Sequence, residues 1–291
     1  MAIHYPDVLQ ERTVPKAFSY TDKDVMLYAL GIGLGDDPMD EAELAFVYEK
    51  DLKVVPTAAT VLASSAGPSE LAPMPAGLKV TQINYPLMLH GEQKVVLHKP
   101  LPTAGTFTTQ SRTVGAFDKG KDKGAVIVSE TDWRDAAGDV IVTLTSSRFC
   151  RGDGGFGGPT EGAPEPHPVP KRAPDLSVDY PTRPGQALLY RLNGDRNPLH
   201  SDPDVARAAG FEVPILHGLC AYGITCRAVL QHVLDYDASR ILSHQVRFSA
   251  PVMPGETITV DIWMDGRDIS FETRIKARGV TSIRNGLTRL R

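Results

Sequence analysis

The segment GLCAYGITCRAVLQHVL, residues 218 to 234, decides the architecture of this 291-residue chain. Its apolar and small positions Leu219, Tyr222, Gly223, Cys226, Val229, Leu230 and Val233 recur at intervals of three and four. That spacing is the stripe of an α-helix with a wide buried face. At 1.5 Å per residue the helix would be roughly 25 Å long. Arg227 and Gln231 fall off the stripe and are expected on its polar side. Further along, ETITVDIWM (256–264) and ISFETRIKA (269–277) flank the turn signal DGRD and predict a hairpin. One buried helix ahead of antiparallel strands predicts an α+β fold in which a sheet wraps a helix.

The pattern occurs twice. Residues 26–33 read MLYALGIG and residues 188–195 read LLYRLNGD, aligning Tyr28 with Tyr190 and Leu30 with Leu192. Downstream, KVVLHKPLPTAGTFT (94–108) parallels QVRFSAPVMPGETIT (245–259). Both pieces keep their order, which points to an internal duplication. In the first half, GAVIVSETDW (124–133) and GDVIVTLTSSRF (138–149) predict a hairpin, and PTAATVLASSAG (56–67) is the counterpart helix. Glycine and proline crowd residues 151–175, which read as an inter-domain linker. The expected organisation is a first repeat over 1–150, a linker over 151–175 and a second repeat over 176–291. The linker's GDGGFGG lacks the Gly-Lys-Ser/Thr ending of a phosphate loop, and no helical pattern follows it.

Bulk properties narrow the function classes. A composition 42% hydrophobic and 23% charged is that of a globular protein with a full core. A net charge of −4 and a pI near 6.1 give no electrostatic reason to expect a nucleic-acid partner. No apolar run approaches the ~20 residues of a membrane span. Three cysteines, Cys150, Cys220 and Cys226, form neither a disulfide framework nor a zinc pattern and suit a reducing compartment. The N-terminal MAIHYPDVLQERTVPK has no apolar core of a secretory signal, and the terminal RLR is not the Ser-Lys-Leu address. A cytoplasmic protein is expected.

The chemistry concentrates in NGDRNPLHSDP, residues 193–203. Pro198 lacks an N–H and pushes Asn197 out of the α region, so a kinked loop can turn Asp195 and His200 toward one point. The bland alternative is an Asx-turn beside a histidine bonded to backbone. Asp202 reads as the cap of a short helix over SDPDVARAAGF, with Pro203 in its first turn and Gly210 at its end. A metal site from Asp195, His200, Asp202 and His217 matches no common zinc spacing, so no metal is expected. A Cys220–His217 nucleophile pair lacks an electropositive cue. His217 and Gly218 stand where the long helix begins, and the first N–H groups of a helix are unpaired and at its positive end. Gly218 could admit a ligand oxygen, or it could serve packing alone.

The stretch YRLNGDRNPLHSDPDVA (190–206), followed by GFEVPILHGLCAYG (210–223), resembles the hydratase 2 motif of MaoC-like (R)-specific enoyl-CoA hydratases. LMLHGEQKVVLHKPLPTAG (87–105) and RGDGGFGG (151–158) resemble the two-repeat form of that family. The resemblance implies a double hot-dog fold, each repeat a long helix wrapped by an antiparallel sheet, and an acyl-CoA thioester as substrate. It implies that Asp195 and His200 activate water, that Asn197 supports them and that the Gly218 N–H holds the thioester oxygen. Tyr190, Gly194, Pro198 and His217 would surround the substrate, with no redox cofactor or metal. A homodimer is the form of self-association entertained. The first half departs from the motif, with ALGIGLGDDPMDEAELAF after Tyr28 and PTAAT (56–60) opposite PILHG. That repeat would accommodate the acyl chain. DKGKDKG (118–124) reads as a solvated hairpin turn, with contact to CoA phosphates as the alternative. Rival readings are a thioesterase on the same fold and a non-catalytic acyl-CoA-binding subunit.

Overall fold

The computed structural model describes residues 3–291. The first half supplies β1 (Lys16–Tyr20), β2 (Met88–Leu97), β3 (Gly105–Asp118), β4 (Ala125–Arg134) and β5 (Val140–Cys150). The second supplies β6 (Leu176–Pro181), β7 (Ile241–Phe248), β8 (Thr257–Asp265), β9 (Asp268–Ile275) and β10 (Val280–Leu290). All ten join one sheet in the order β1-β3-β4-β5-β2-β7-β10-β9-β8-β6. Read from the centre outward, the halves repeat each other strand for strand. The join is the antiparallel pair β2–β7, with Glu92 opposite Arg247 and Val95 opposite His244. The two expected hairpins are β4–β5 and β8–β9.

The helices are α1 (Asp22–Gly31), α2 (Glu41–Leu44), α3 (Ala59–Leu62), α4 (Gln186–Tyr190), α5 (Pro203–Ala208) and α6 (Gly218–Val233). Helix α6 matches its expected span and is buried from Cys220 to Leu230. Side chains such as Ile224, Val229 and Leu230 leave water entirely, each contributing roughly 1.5–3 kcal/mol. Its buried face is wider than the periodicity implies. Arg227, expected on a polar side, is buried, and its Nη2 donates to Glu43 Oε1 at 2.7 Å. Its guanidinium also lies 5.1 Å from the Tyr180 ring. The partner that permits this burial sits on α2, in the other half.

The first-half helix expected over 56–67 is interrupted. Pro56–Ala58 and Ala63–Ala66 are 3-10 turns on either side of the single α turn α3. Small side chains give this segment little apolar surface to bury. Its hydroxyls bond backbone instead: Thr60 Oγ1 donates to the Thr57 carbonyl and Ser65 Oγ to the Ser19 carbonyl. Irregular chain from 67 onward therefore covers part of the first-half sheet.

The Gly/Pro-rich connection is not a free tether. The Asp118 carboxylate accepts N–H bonds from Gly120, Gly155 and Gly157, each 2.8 Å, fastening GDGGFGG to the β3–β4 turn. Farther along, His167 Nε2 pairs with Ser270 Oγ at 2.8 Å, and the Arg172 carbonyl accepts from Trp263 Nε1. The segment lies against strands of the second half. Among the described residues, no helix is long and apolar enough to cross a membrane.

Candidate active site

The loop from Asn193 to Asp202 is shaped by its own sequence. Gly194 has φ +115°, and a Cβ there would lie 2.3 Å from Ser64 Cβ, so a glycine lets the loop press against the first half. The Asn197 side chain accepts the Leu199 N–H at 3.1 Å and caps the 3-10 turn Pro198–His200, which Pro198 starts. Asp195 Oδ1 accepts the Asn197 N–H at 3.2 Å. Asp202 caps α5, accepting from Asp204 and Val205 N–H at 2.8 and 3.4 Å. It plays no part in the site.

This turn delivers His200 inward. Its Nδ1 donates to the Ile215 carbonyl at 2.9 Å, which fixes the tautomer and leaves Nε2 as an open acceptor. His217, just ahead of α6, is 1% exposed and its Nε2 donates to the Asp195 backbone carbonyl at 3.1 Å. The His200 and His217 rings stack with centroids 3.7 Å apart and planes at 28°. Burial lowers the His217 pKa to about 4, and the facing His200 adds to the shift. His200 is lowered as well by burial, against opposing pulls from the Ile215 carbonyl and Asp195. Two stacked rings with little water cannot both be cationic. With both pKa values held below the ordinary histidine value, both rings are neutral at pH 7.

Ligand-type atoms of Asp195, His200 and His217 all lie within 4.8 Å of one another. Such a group of donors could hold a shared water or a metal ion. Gly218 follows His217 directly and opens α6; the first intrahelical donor is the Cys220 N–H, bonded to the His217 carbonyl at 3.0 Å. The exposed Gly218 N–H thus stands unpaired at the positive end of the helix.

Not every residue singled out by the motif faces this opening. Tyr190 is fully buried behind His217, ring to ring 5.0 Å, and packs on Tyr28 at 6.1 Å. Asn197 and Pro198 are exposed and shape the turn. Two side chains that the local pattern does not single out do line the opening. A Cβ on Gly218 would come 3.3 Å from the Phe248 ring of β7, and His90 of β2 packs edge-on against Phe248 at 5.0 Å. A bulge between His90 and Glu92 sets His90 opposite Arg148 on the inner face. Its HG context lies in the stretch that carries the family resemblance, but nothing in local periodicity marks it.

Two like halves sharing one antiparallel sheet around helices constitute a double hot-dog fold. A Mycobacterium tuberculosis protein described as having a double hotdog fold superposes with TM-score 0.53 over 99% of this chain and 98% of its own, at 10% identity. Residues 18–152 match the family model for the MFE-2 hydratase 2 N-terminal domain, and residues 166–285 match that for the MaoC like domain. The Mycobacterium tuberculosis protein named enoyl-CoA hydratase ChsH3 is 43% identical over 267 residues, 92% of this chain and 91% of that one. A solved MaoC-like dehydratase from Phytophthora capsici is 32% identical with TM-score 0.87, covering 99% of each chain. The chain belongs to the MaoC-like hydratase 2 family.

Proposed function

We propose that this protein is an (R)-specific enoyl-CoA hydratase, adding water reversibly across the double bond of a trans-2-enoyl-CoA. The observation that carries the reading is the gathering of ligand-type atoms of Asp195, His200 and His217 within 4.8 Å of one another, with the unpaired Gly218 N–H next along the chain. Water is a poor nucleophile until a base takes its proton. Asp195 and His200 hold one water between them and accept that proton as its oxygen bonds C3. The C2–C3 π pair moves toward the thioester, and charge gathers on its oxygen as an enolate. Gly218 N–H, at the positive end of α6, stabilises that charge; losing one such donor costs about 2.7–4 kcal/mol. The proton then passes from the dyad to C2, on the face that received the oxygen. Addition is syn, and the product is a (3R)-hydroxyacyl-CoA. Residues 1–150 act as the repeat without catalytic groups and give room to the acyl chain, while 176–291 carry the chemistry.

Neither metal nor redox cofactor enters these steps. The test is incubation with crotonyl-CoA. Loss of enoyl-thioester absorbance, a product oxidised only by a (3R)-specific dehydrogenase, and activity unchanged by chelators are expected. Release of free thiol would make the protein a thioesterase. No turnover of any enoyl-CoA would leave an acyl-CoA-binding subunit.

A further inference from the structure

The inner face of the first-half sheet changes character along its strands. Side chains alternate across a strand, so Phe107, Trp133 and Val142 mark this face as the one turned to the core. Following the same face along β3, β4 and β5 leads to Ser111, then to Thr131 and Ser129, and to Ser146 and Arg148. An interior face that turns to hydroxyls and a guanidinium needs a reason. A cavity of about 390 Å³ opens there, bounded on the other side by irregular chain from the interrupted-helix region, including Thr81.

The polar groups of this cavity are incompletely satisfied. Arg148 Nη2 donates to Ser129 Oγ at 3.0 Å, but its Nε is buried with no hydrogen-bond partner among the described residues. Thr81 Oγ1 is likewise buried and unpartnered. Arg12 also lines the cavity, while two further charges at the rim are engaged elsewhere. The Glu11 carboxylate accepts the Thr81 N–H at 2.6 Å, and Arg112 is held by Asp132 and Glu130 at 2.8 and 2.5 Å. No carboxylate among the described residues pairs with Arg148. A buried guanidinium edge without an acceptor is costly, and a planar anion fits its fork.

A line of side chains on the same face leads from the cavity toward the reaction centre. Arg148 stands opposite His90 across the β5–β2 pair. His90 packs on Phe248, and the Phe248 ring lies beside Gly218. We propose that Arg148 and its surrounding hydroxyls form a specificity subsite for an anionic oxygen group, a carboxylate carried on the acyl chain away from the thioester. The chain would thus favour enoyl-CoAs derived from dicarboxylic or carboxylate-bearing acids over plain fatty ones. This inference rests on the hydratase reading, and its test keeps the two apart.

The experiment compares two trans-2-enoyl-CoA series of matched length, one ending in methyl and the other in carboxylate. In the wild type, kcat/KM should be higher for the carboxylate form at one or more chain lengths. Arg148→Met should lower that preference about ten- to a hundredfold, the loss expected for a hydrogen bond to a charged group, while crotonyl-CoA turnover is unchanged. Arg148→Lys, which keeps charge but loses the fork, should lie between, and it replaces the Met variant should that fail to fold. Equal kcat/KM for both series in the wild type would overturn the subsite while leaving the hydratase intact. A rise in KM for crotonyl-CoA equal to that for the carboxylate series would assign Arg148 to a CoA phosphate and overturn it too. Failure of the wild type to hydrate crotonyl-CoA or any other enoyl-CoA would instead sink the hydratase reading.

Discussion

Asp195 and His200 come together because the Asx-turn at Asp195 and the 3-10 turn begun by Pro198 fold the loop back, and in the proposed reaction both serve one water. Asp195→Asn and His200→Ala should each lower kcat by about 10²–10⁴-fold, the usual contribution of a positioned base. The double variant should lose little more than the worse single, as expected when two groups serve one water. Circular dichroism shows whether the fold persists, and near-wild-type turnover in either single variant would end the mechanism. The pH profile tests the same pair. His200 must be neutral to accept a proton, and burial holds its pKa below the ordinary histidine value of about 6.5. The acid limb of kcat/KM should therefore fall below pH ~6.5, with a flat profile through neutrality. Loss of kcat/KM as pH rises through that value would mean that the imidazolium is the working form.

Between elements, the contact with most at stake is the pair formed by Arg227 of α6 and Glu43 of α2. Glu43 also accepts the Gly35 N–H at 2.9 Å, so one buried carboxylate ties the long helix to two parts of the first half. Breaking a buried pair by removing one partner leaves an uncompensated charge. Glu43→Ala should cost about 3–5 kcal/mol of stability, read from chemical denaturation. Pairing Glu43→Leu with Arg227→Met should recover much of that loss, because replacing both charges leaves none unpaired. Additive losses would mean that the pair is not energetically coupled.

For the whole molecule, pH acts through histidines that the fold keeps neutral. His244 is fully buried between Thr225 Oγ1 and Thr288 Oγ1, at 3.0 and 2.6 Å, and burial lowers its pKa to about 3. His217 is lowered to about 4. In the unfolded chain both would take a proton near pH ~6.5. Below that value the unfolded state binds more protons, so stability is present in full above it and is lost as pH falls toward 4 and then 3. Each group should contribute a slope of about 1.4 kcal/mol per pH unit through that window. Urea denaturation between pH 7 and 4 measures it. His244→Gln should flatten the slope by about one proton; an unchanged slope would place the acid sensitivity elsewhere.

What the sequence determined by itself is local. The period of α6, the alternation of the strands, the Asp202 cap and the Pro198 kink each act within a few residues, so each is legible without knowing where the chain goes next. The repeat was legible for the same reason, as two copies of one local order. The Asp195–His200 pair was visible as a candidate because its partners are five apart, and the family motif supplied the roles proposed for them. Tertiary structure decided the rest. Arg227 looked like a surface residue until Glu43, 184 positions away, came to meet it. The first-half helix broke because small hydroxylated side chains found backbone partners in β1 and in their own turn. The Gly/Pro segment became a pinned strap once Asp118 offered three N–H groups a carboxylate. His90, Phe248 and Arg148, whose Nε lacks a partner, share one face only because closing the sheet sets β5, β2 and β7 side by side. Periodicity reports which way a side chain points relative to its own element, while what it meets there depends on chain that arrives from a hundred residues away.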